Sequence, residues 1–383
     1  MLEGTNVALG VTGSVAAVRT VELAHELRRQ GASVRAVMTD SARSIVHPWA
    51  VEFATDNPVA TEITGAVEHV ELCGREGWAD VFLVAPATAN TIGKIAAAID
   101  DSPVTTTATT ALGADVPVVI APAMHEPMYD HPGVLDAIDR VESWGVDFVD
   151  PRLEEGKAKI ASEEAIVLET ARALGDRPLA DRRVVITSGA TSEPIDPVRV
   201  LSNRASGKTG RAVAKACYAL GADVVLVHDG PDVPYADVRR VRTAAEMLDA
   251  VSDAVESADA LVSAAAISDY TVDAATEKIR SGQEITLDLE PTPKLIDSIR
   301  EAHPALTMVG FKAEANDDEA TVEVARELLE RVALEFVVAN DAAVMGEDET
   351  RVQFVHADDV ESFEGTKAEL GRRVASELAA CFD

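Results

Sequence analysis

Two tandem α/β domains, each a largely parallel sheet wrapped by helices, are the fold class that the sequence predicts. Three observations predict it. Short apolar runs of strand length alternate with longer amphipathic stretches along the chain. The 383 residues exceed what one ordinary core accommodates. A run of Gly, Pro and charge at 175–181 interrupts the alternation, and the domain boundary is placed there.

In the first half the apolar runs at 6–11, 33–38, 81–85, 116–121 and 146–149 predict strands. The amphipathic stretches at 15–30, 90–99, 132–144 and 162–174 predict the helices between them. After the boundary the alternation resumes with a strand at 183–187, a helix at 205–220, a strand at 223–228 and a helix at 244–256. It continues with strands at 260–265 and 308–311, a helix at 321–333 and a strand at 336–339. The polar stretch 277–289 reads as an excursion or hairpin between these elements, and no internal repeat is visible.

Composition excludes several classes. Hydrophobic residues make up 47% of the chain, which rules out a disordered polymer. Charges or glycines interrupt every apolar run before membrane-spanning length, and the N-terminus lacks the basic-then-apolar order of a signal peptide. Cys73, Cys217 and Cys381 form neither a disulfide framework nor a CxxC metal site, which fits a reducing cytoplasm. With 66 acidic against 34 basic residues the net charge is −32, a field that repels nucleic acid. The acidic residues are spread along the chain and arginine outnumbers lysine, the pattern of a halophilic protein whose self-repulsion salt screens.

Strand 6–11 runs into Gly10-Val11-Thr12-Gly13-Ser14 and a helix. Such a turn leaves backbone N–H groups for a phosphate, although packing alone also calls for one. GxGxxG is not satisfied, so NAD is not indicated. Thr88 and Asn90 follow the strand ending in Ala85-Pro86, where either serves as a helix cap. Pro122-Ala123-Met124-His125 follows the next strand, at the edge where open α/β sheets bind ligands. In the second half Ser206-Gly207-Lys208-Thr209 suggests a P-loop, but that motif needs glycine at position 202, which is Ser202. No metal-ligand set is legible.

The first-half segments, with Met38-Thr39 and His69-Val70-Glu71-Leu72, resemble the homo-oligomeric flavin-containing cysteine decarboxylases over residues 1–176. The resemblance implies a flavodoxin-like or Rossmann-like flavoprotein domain. It implies that Ser14, Thr39, Thr88, Asn90 and Ser102 contact FMN, and that 102–107, including Thr105, closes over the flavin. It makes His69 the active-site base. In that family the flavin oxidises the cysteinyl carbon, so that carbon dioxide can leave a thioaldehyde. His125 replaces the asparagine that binds the substrate carboxylate in bacterial relatives, and we count it with His69 as catalytic. The clamp cysteine of those relatives is missing from 154–160, which leaves Lys157 or Lys159 to meet the substrate phosphate or supply a proton.

Residues 182–383 resemble the phosphopantothenate–cysteine ligases, a Rossmann-like fold. The resemblance is carried by Ser188-Gly189-Ala190-Thr191, Asn203-Arg204-Ala205-Ser206-Gly207-Lys208, Glu277-Lys278-Ile279, Thr292-Pro293-Lys294-Leu295, Gly310-Phe311-Lys312 and Ala339-Asn340-Asp341. It implies an acyl-nucleotide intermediate, with CTP as co-substrate and Mg²⁺ on the triphosphate. Arg199 and Asn203 would handle the substrate, and Asn203 and Lys278 would be catalytic, Lys278 at the phosphoryl centre. Ser263, Ala264, Ala265, Asp269, Thr292, Pro293, Lys294, Leu295 and Phe311 would form the nucleotide pocket. Leu328 and Val332 stand where bacterial ligases place lysines, leaving Arg326 or Arg331 to compensate.

Together the resemblances imply a bifunctional enzyme of coenzyme A biosynthesis. It would act on 4′-phosphopantothenate, cysteine and CTP as a homo-oligomer, trimer-based and up to a dodecamer. Two other readings stand beside this one. A flavin enzyme with another substrate, such as a peptide-cysteine decarboxylase or a flavin prenyltransferase, leaves the second half unexplained. A flavin-binding regulatory subunit would bind FMN and yield neither pyrophosphate nor carbon dioxide.

Overall fold

The computed structural model describes residues 1–382 except 155–156, 283, 315–317 and 342–348. The chain divides into two compact units, Met1–Gly175 and the residues from Asp176 onward. The strands of the first unit are β1 (Asn6–Val11), β2 (Ser33–Met38), β3 (Val81–Ala87), β4 (Val118–Pro122), β5 (Met124–His125), β6 (Asp147–Phe148), β7 (Arg152–Glu154) and β8 (Lys157–Lys159). The main sheet has the order β2-β1-β3-β4-β6 and is parallel throughout.

Alternation along these strands feeds two cores. Leu9, Leu83 and Val119 pack with Leu23, Leu27 and Ile166. Phe82, Val84 and Ile120 pack with Ile92, Val104 and Ile138. Burial on both faces is why the strands read as continuous apolar runs. The stretch expected as one helix at 15–30 begins as a 3₁₀ turn, Val15–Arg19, before the α-helix Thr20–Arg29.

Helices Pro48–Thr55, Glu68–Cys73 and Pro103–Gly113 were not expected, nor was the antiparallel ribbon β5-β8-β7. Pro103–Gly113 is rich in Thr, a modest helix former. It is held by Pro103 in its first turn and a reciprocal capping box between Ser102 and Thr105. Ser102–Thr105 is therefore a capped helix start.

The second unit carries β9 (Arg183–Thr187), β10 (Ser192–Pro194), β11 (Val200–Ser202), β12 (Asp223–His228), β13 (Asp237–Arg240), β14 (Ala260–Ser263), β15 (Tyr270–Val272), β16 (Leu289–Pro291), β17 (Thr307–Glu314), β18 (Phe336–Asp341), β19 (Glu349–Val355) and β20 (Val360–Thr366). Its main sheet runs β13-β12-β9-β14-β17-β18-β19-β20. It is parallel as far as β18, and β19 and β20 add an antiparallel hairpin. The stretch 277–289 lies in the connection between the antiparallel pair β15 and β16. The last helix, Lys367–Ala380, packs on helix Lys208–Ala219. There a Cβ at Gly371 would lie 2.5 Å from the Ala212 carbonyl oxygen.

Candidate functional site

The sheet order of the first unit places its topological switch point between β1 and β3, where open parallel sheets of this order bind a flavin. The turns there are locked together by hydroxyl groups. Buried Thr12 donates from Oγ1 to the Pro86 carbonyl (2.8 Å) and accepts from the Thr88 N–H (3.2 Å). Ser14 donates to the Ala123 carbonyl (3.0 Å) and accepts from the Ala16 N–H (3.3 Å). Thr39 and Thr88 cap the helices that follow β2 and β3. Any Cβ at Gly13 would lie 2.4 Å from Ser41 Oγ, so only glycine lets this turn approach the end of β2.

A cavity of about 500 Å³ opens beside these turns, with Ser14, Thr88, Met124, His125, Arg152 and Lys159 among its walls. His125 is exposed and aligned with Lys157 in the β5–β8 pair. Glu155 and Gly156, part of the expected clamp region, lie outside the described residues.

Thr39, Asn90, Ser102, Thr105 and His69 are not on the walls of this cavity. Thr39 lies against its rim through Ser41 (3.1 Å between hydroxyl oxygens). The Thr105 hydroxyl is spent on the Ser102 N–H and carbonyl (both 3.1 Å). Half-buried His69 sits in the first turn of helix Glu68–Cys73, just after Val67, whose φ of 50° is strained for a β-branched residue. Its Nδ1 is buried without a hydrogen-bond partner. Hydroxyl-capped turns and a cradle closed to any side chain at Gly13 suit a bound flavin nucleotide, while the orphaned His69 nitrogen stands off this cavity.

In the second unit the switch point lies between β9 and β14, and a cavity of about 340 Å³ lies at the carboxyl ends of β9, β14, β17 and β18. Among expected residues Asn203, Ala264, Ala265, Asp269 and Phe311 line it. Thr187 Oγ1 fixes its floor by accepting from the N–H groups of Ala264 and Ala265 (3.1 Å each). Asn203 donates to the Ala266 carbonyl (2.8 Å).

Arg199, Ser263, Lys278, Thr292, Pro293, Lys294 and Leu295 are not among the lining residues. Lys294 reaches the cavity's edge by pairing with Asp269. Thr292 fastens the same segment to the Ser268 carbonyl (2.5 Å). Leu295 packs in the core, as expected of an apolar residue on the inner face of a short helix.

Buried Asp196 organises the other arm. It accepts from the N–H groups of Val198 and Arg199 (2.8 Å each) and Ile279 (3.1 Å), and pairs with the Arg199 guanidinium, which donates to the Ile279 carbonyl (3.1 Å). Burial pushes its carboxyl up, but these N–H groups and the guanidinium prevail and hold it at about 2. Exposed Lys278 is thereby anchored through its neighbour.

Arg326 and Arg331, the cations expected on helix Asp318–Val332, are not among the residues that line the cavity. Arg331 pairs with Asp297, Arg326 points to solvent, and Val332 is buried. Instead Lys208, Lys312 and Lys367 line it. They come from three distant segments; Lys208 and Lys312 lie in motifs that carry the ligase resemblance but were given no role there, and Lys367 lies in none.

A flavin-type cavity and a second switch-point cavity on one chain define a two-module α/β flavoprotein. Residues 1–175 match the family model described as flavoprotein. Residues 179–382 match that of the DNA/pantothenate metabolism flavoprotein C-terminal domain. The chain is 48% identical over 385 residues to the coenzyme A biosynthesis bifunctional protein CoaBC of Thermococcus kodakarensis, covering 98% of this chain and 95% of that protein. Among solved structures, the C-terminal domain of a CoaBC protein matches at 29% identity and a TM-score of 0.46, covering 54% of this chain and 98% of that one. The FMN-dependent cysteine decarboxylase SpaF matches at 31% and 0.41, covering 46% and 100%. The chain belongs to the family of bifunctional coenzyme A biosynthesis proteins. It is an enzyme with phosphopantothenoylcysteine decarboxylase and phosphopantothenate–cysteine ligase activities.

Proposed function

We propose that residues 182–383 couple 4′-phosphopantothenate to cysteine at the expense of CTP, and that residues 1–176 decarboxylate the product to 4′-phosphopantetheine with FMN. The observation that carries this reading is a likeness to a bifunctional relative running through both modules.

FMN, when bound, supplies the two-electron acceptor that a β-thiol acid needs before carbon dioxide can leave. The chain's own residues do the rest. Ser14, Thr39 and Thr88 contact the cofactor and brace the turns whose backbone N–H groups hold its phosphate, and Asn90, Ser102 and Thr105 border it. His69 takes the substrate proton on its unpartnered Nδ1. His125 meets the substrate carboxylate, and Lys157 or Lys159 approaches its phosphate.

In the ligase cavity Asn203 stands by the activated carbonyl. Ser263, Ala264, Ala265, Asp269, Phe311 and the Thr292–Leu295 segment bound the nucleotide. Arg199 orients the segment bearing Lys278, which stabilises charge at the phosphoryl centre. Mg²⁺ arrives on the triphosphate.

The enzyme works as a homo-oligomer built on trimers, in a salt-rich cytoplasm. Trp49 and Phe53, 77% and 78% exposed on helix Pro48–Thr55, offer a face for a second copy. A site shared between copies also accounts for His69, Asn90 and Ser102 standing off the cavity of a single chain. Purified protein given 4′-phosphopantothenate, cysteine and CTP should release pyrophosphate and then carbon dioxide. A yellow protein yielding neither would overturn the reading in favour of a regulatory subunit.

A further inference from the structure

We infer that Arg35, acting through Glu71, is a positioning residue for His69 in the decarboxylase, fixing where the short helix that bears the base presents its imidazole. The inference rests on the reading of His69 as the proton acceptor.

Helix Glu68–Cys73 has six residues, too few to hold itself in place without contacts from outside. It begins after Val67 in the left-handed region, a conformation that persists only where neighbouring contacts enforce it. Burial sets its inner face. Leu72 and Cys73 enter the core with Val104 and Ala108 of helix Pro103–Gly113. His69 stands three and four residues before them, hence on the same side, and its Nδ1 is buried.

Glu71 is two residues beyond His69, about 200° round the helix, and so faces the other way. There the Arg35 guanidinium, reaching from β2, donates from both terminal nitrogens to the two Glu71 carboxylate oxygens (2.9 and 3.3 Å). Its central carbon lies 5.2 Å from the centre of the Trp78 ring, and the Trp78 N–H donates to the Glu71 carbonyl (2.9 Å). Trp78 packs on the same core as Leu72. One cation thus joins a strand, the outer face of the helix and the turn that leaves it. At the near end Thr64 donates its N–H (2.8 Å) and its hydroxyl to the Glu68 carboxylate.

As a contribution to stability the Arg35–Glu71 pair counts for little, because Glu71 is half exposed (53%) and salt screens such contacts. Its planar fork instead restrains rolling of the helix about its axis and sliding along β2. Both movements displace an imidazole on the far side, and a displacement of about 1 Å at a reacting group costs up to roughly 100-fold in rate.

The test uses the full-length, flavin-loaded enzyme with Arg35→Met, Arg35→Lys, Glu71→Gln, His69→Asn and the double variant Arg35→Met with His69→Asn. Arg35→Met should lower kcat for carbon dioxide release by about tenfold or more, while KM for 4′-phosphopantothenoylcysteine changes by less than about twofold. Glu71→Gln should show the same loss, and Arg35→Lys should recover only part of it, since an ammonium cannot form the fork. Bound flavin and pyrophosphate release should match the parent, and the melting temperature should stay within about 2 °C. Amide hydrogen exchange, followed by mass spectrometry, should quicken in Arg35→Met across residues 68–73 and not in β1 or β3.

In the His69→Asn background Arg35→Met should cost less than about twofold, because nothing is left to position. An unchanged kcat, a tenfold loss that persists without His69, or a loss that tracks released flavin would overturn the inference. A fully active His69→Asn enzyme would remove the base and the inference with it. A parent that binds flavin yet releases no carbon dioxide sinks the decarboxylase reading itself.

Discussion

Replacing Gly371 by alanine should destabilise the second unit even though alanine is the better helix former. On propensity alone a mid-helix Gly→Ala change gains about 1 kcal/mol. A Cβ at 371, however, would stand 2.5 Å from the Ala212 carbonyl oxygen, 2.6 Å from its carbon and 3.0 Å from the Val213 nitrogen. All three are backbone atoms, so no rotamer change relieves the clash. Carbon–carbon contact is comfortable at about 3.5–4.0 Å, so the helices must part by roughly 1 Å. Overpacking of this kind costs about 1–3 kcal/mol. Because the obstacle is rigid we take the upper half, leaving a net loss of about 1–2 kcal/mol. In a unit of this size that lowers the melting temperature by about 2–8 °C. Calorimetry measures it, with the second unit's transition identified by its rise on adding CTP. Gly93→Ala is the control: nothing lies within 4 Å of its Cβ, so it should gain about 0.5–1 kcal/mol. A Gly371→Ala protein melting at or above the parent would show that the helices do not pack this closely.

Thr12→Val keeps the shape but removes the hydroxyl that joins the Pro86 carbonyl to the Thr88 N–H; about 1–3 kcal/mol and part of the bound flavin should be lost, read by melting and by the absorbance retained on gel filtration. Asp196 titrates below the ordinary carboxylate range, so its stabilisation is complete above pH of about 4 and lost as pH falls through about 2. Asp196→Asn should flatten acid unfolding in that window and speed tryptic cleavage at Arg199 and Arg280, followed by mass spectrometry. His69→Asn should cut carbon dioxide release by about 100-fold or more while leaving pyrophosphate release intact. Melting temperature should climb between low salt and molar KCl, since at about 1 M the Debye length shrinks to about 3 Å; a flat or falling profile would refute the high-salt adaptation.

The strands were legible where burial on both faces leaves nothing polar to confuse the period: β1, β2, β9 and β12 carry the ranges expected of them. Helix Pro103–Gly113 was not, because Thr-Thr-Thr-Ala-Thr-Thr argues for a strand by propensity. Its fate is decided by the Ser102 cap and by burial of Val104, Ala108 and Ala111. The ribbon β5-β8-β7 was illegible for another reason: two or three residues per strand are too few for any period to show. Cavity residues divide the same way. Ser14, Thr88, Asn203 and Lys208 stand in continuous motifs, whereas Lys367 comes from the last helix, far along the chain, and no local pattern marks it for the cavity.

The two cavities solve one problem with different means. At the flavin turns the hydroxyls are already engaged. Ser14 donates its proton to Ala123 and accepts from Ala16, and Thr12 donates to Pro86 and accepts from Thr88. A hydroxyl has one proton to donate, so these side chains cannot hold an anion without giving up a bond that shapes the turn. The donors left for a phosphate there are backbone N–H groups, and the hydroxyls fix their direction. The second-unit cavity is lined instead by Lys208, Lys312 and Lys367, beside a helix start at Gly207 that has no side-chain cap.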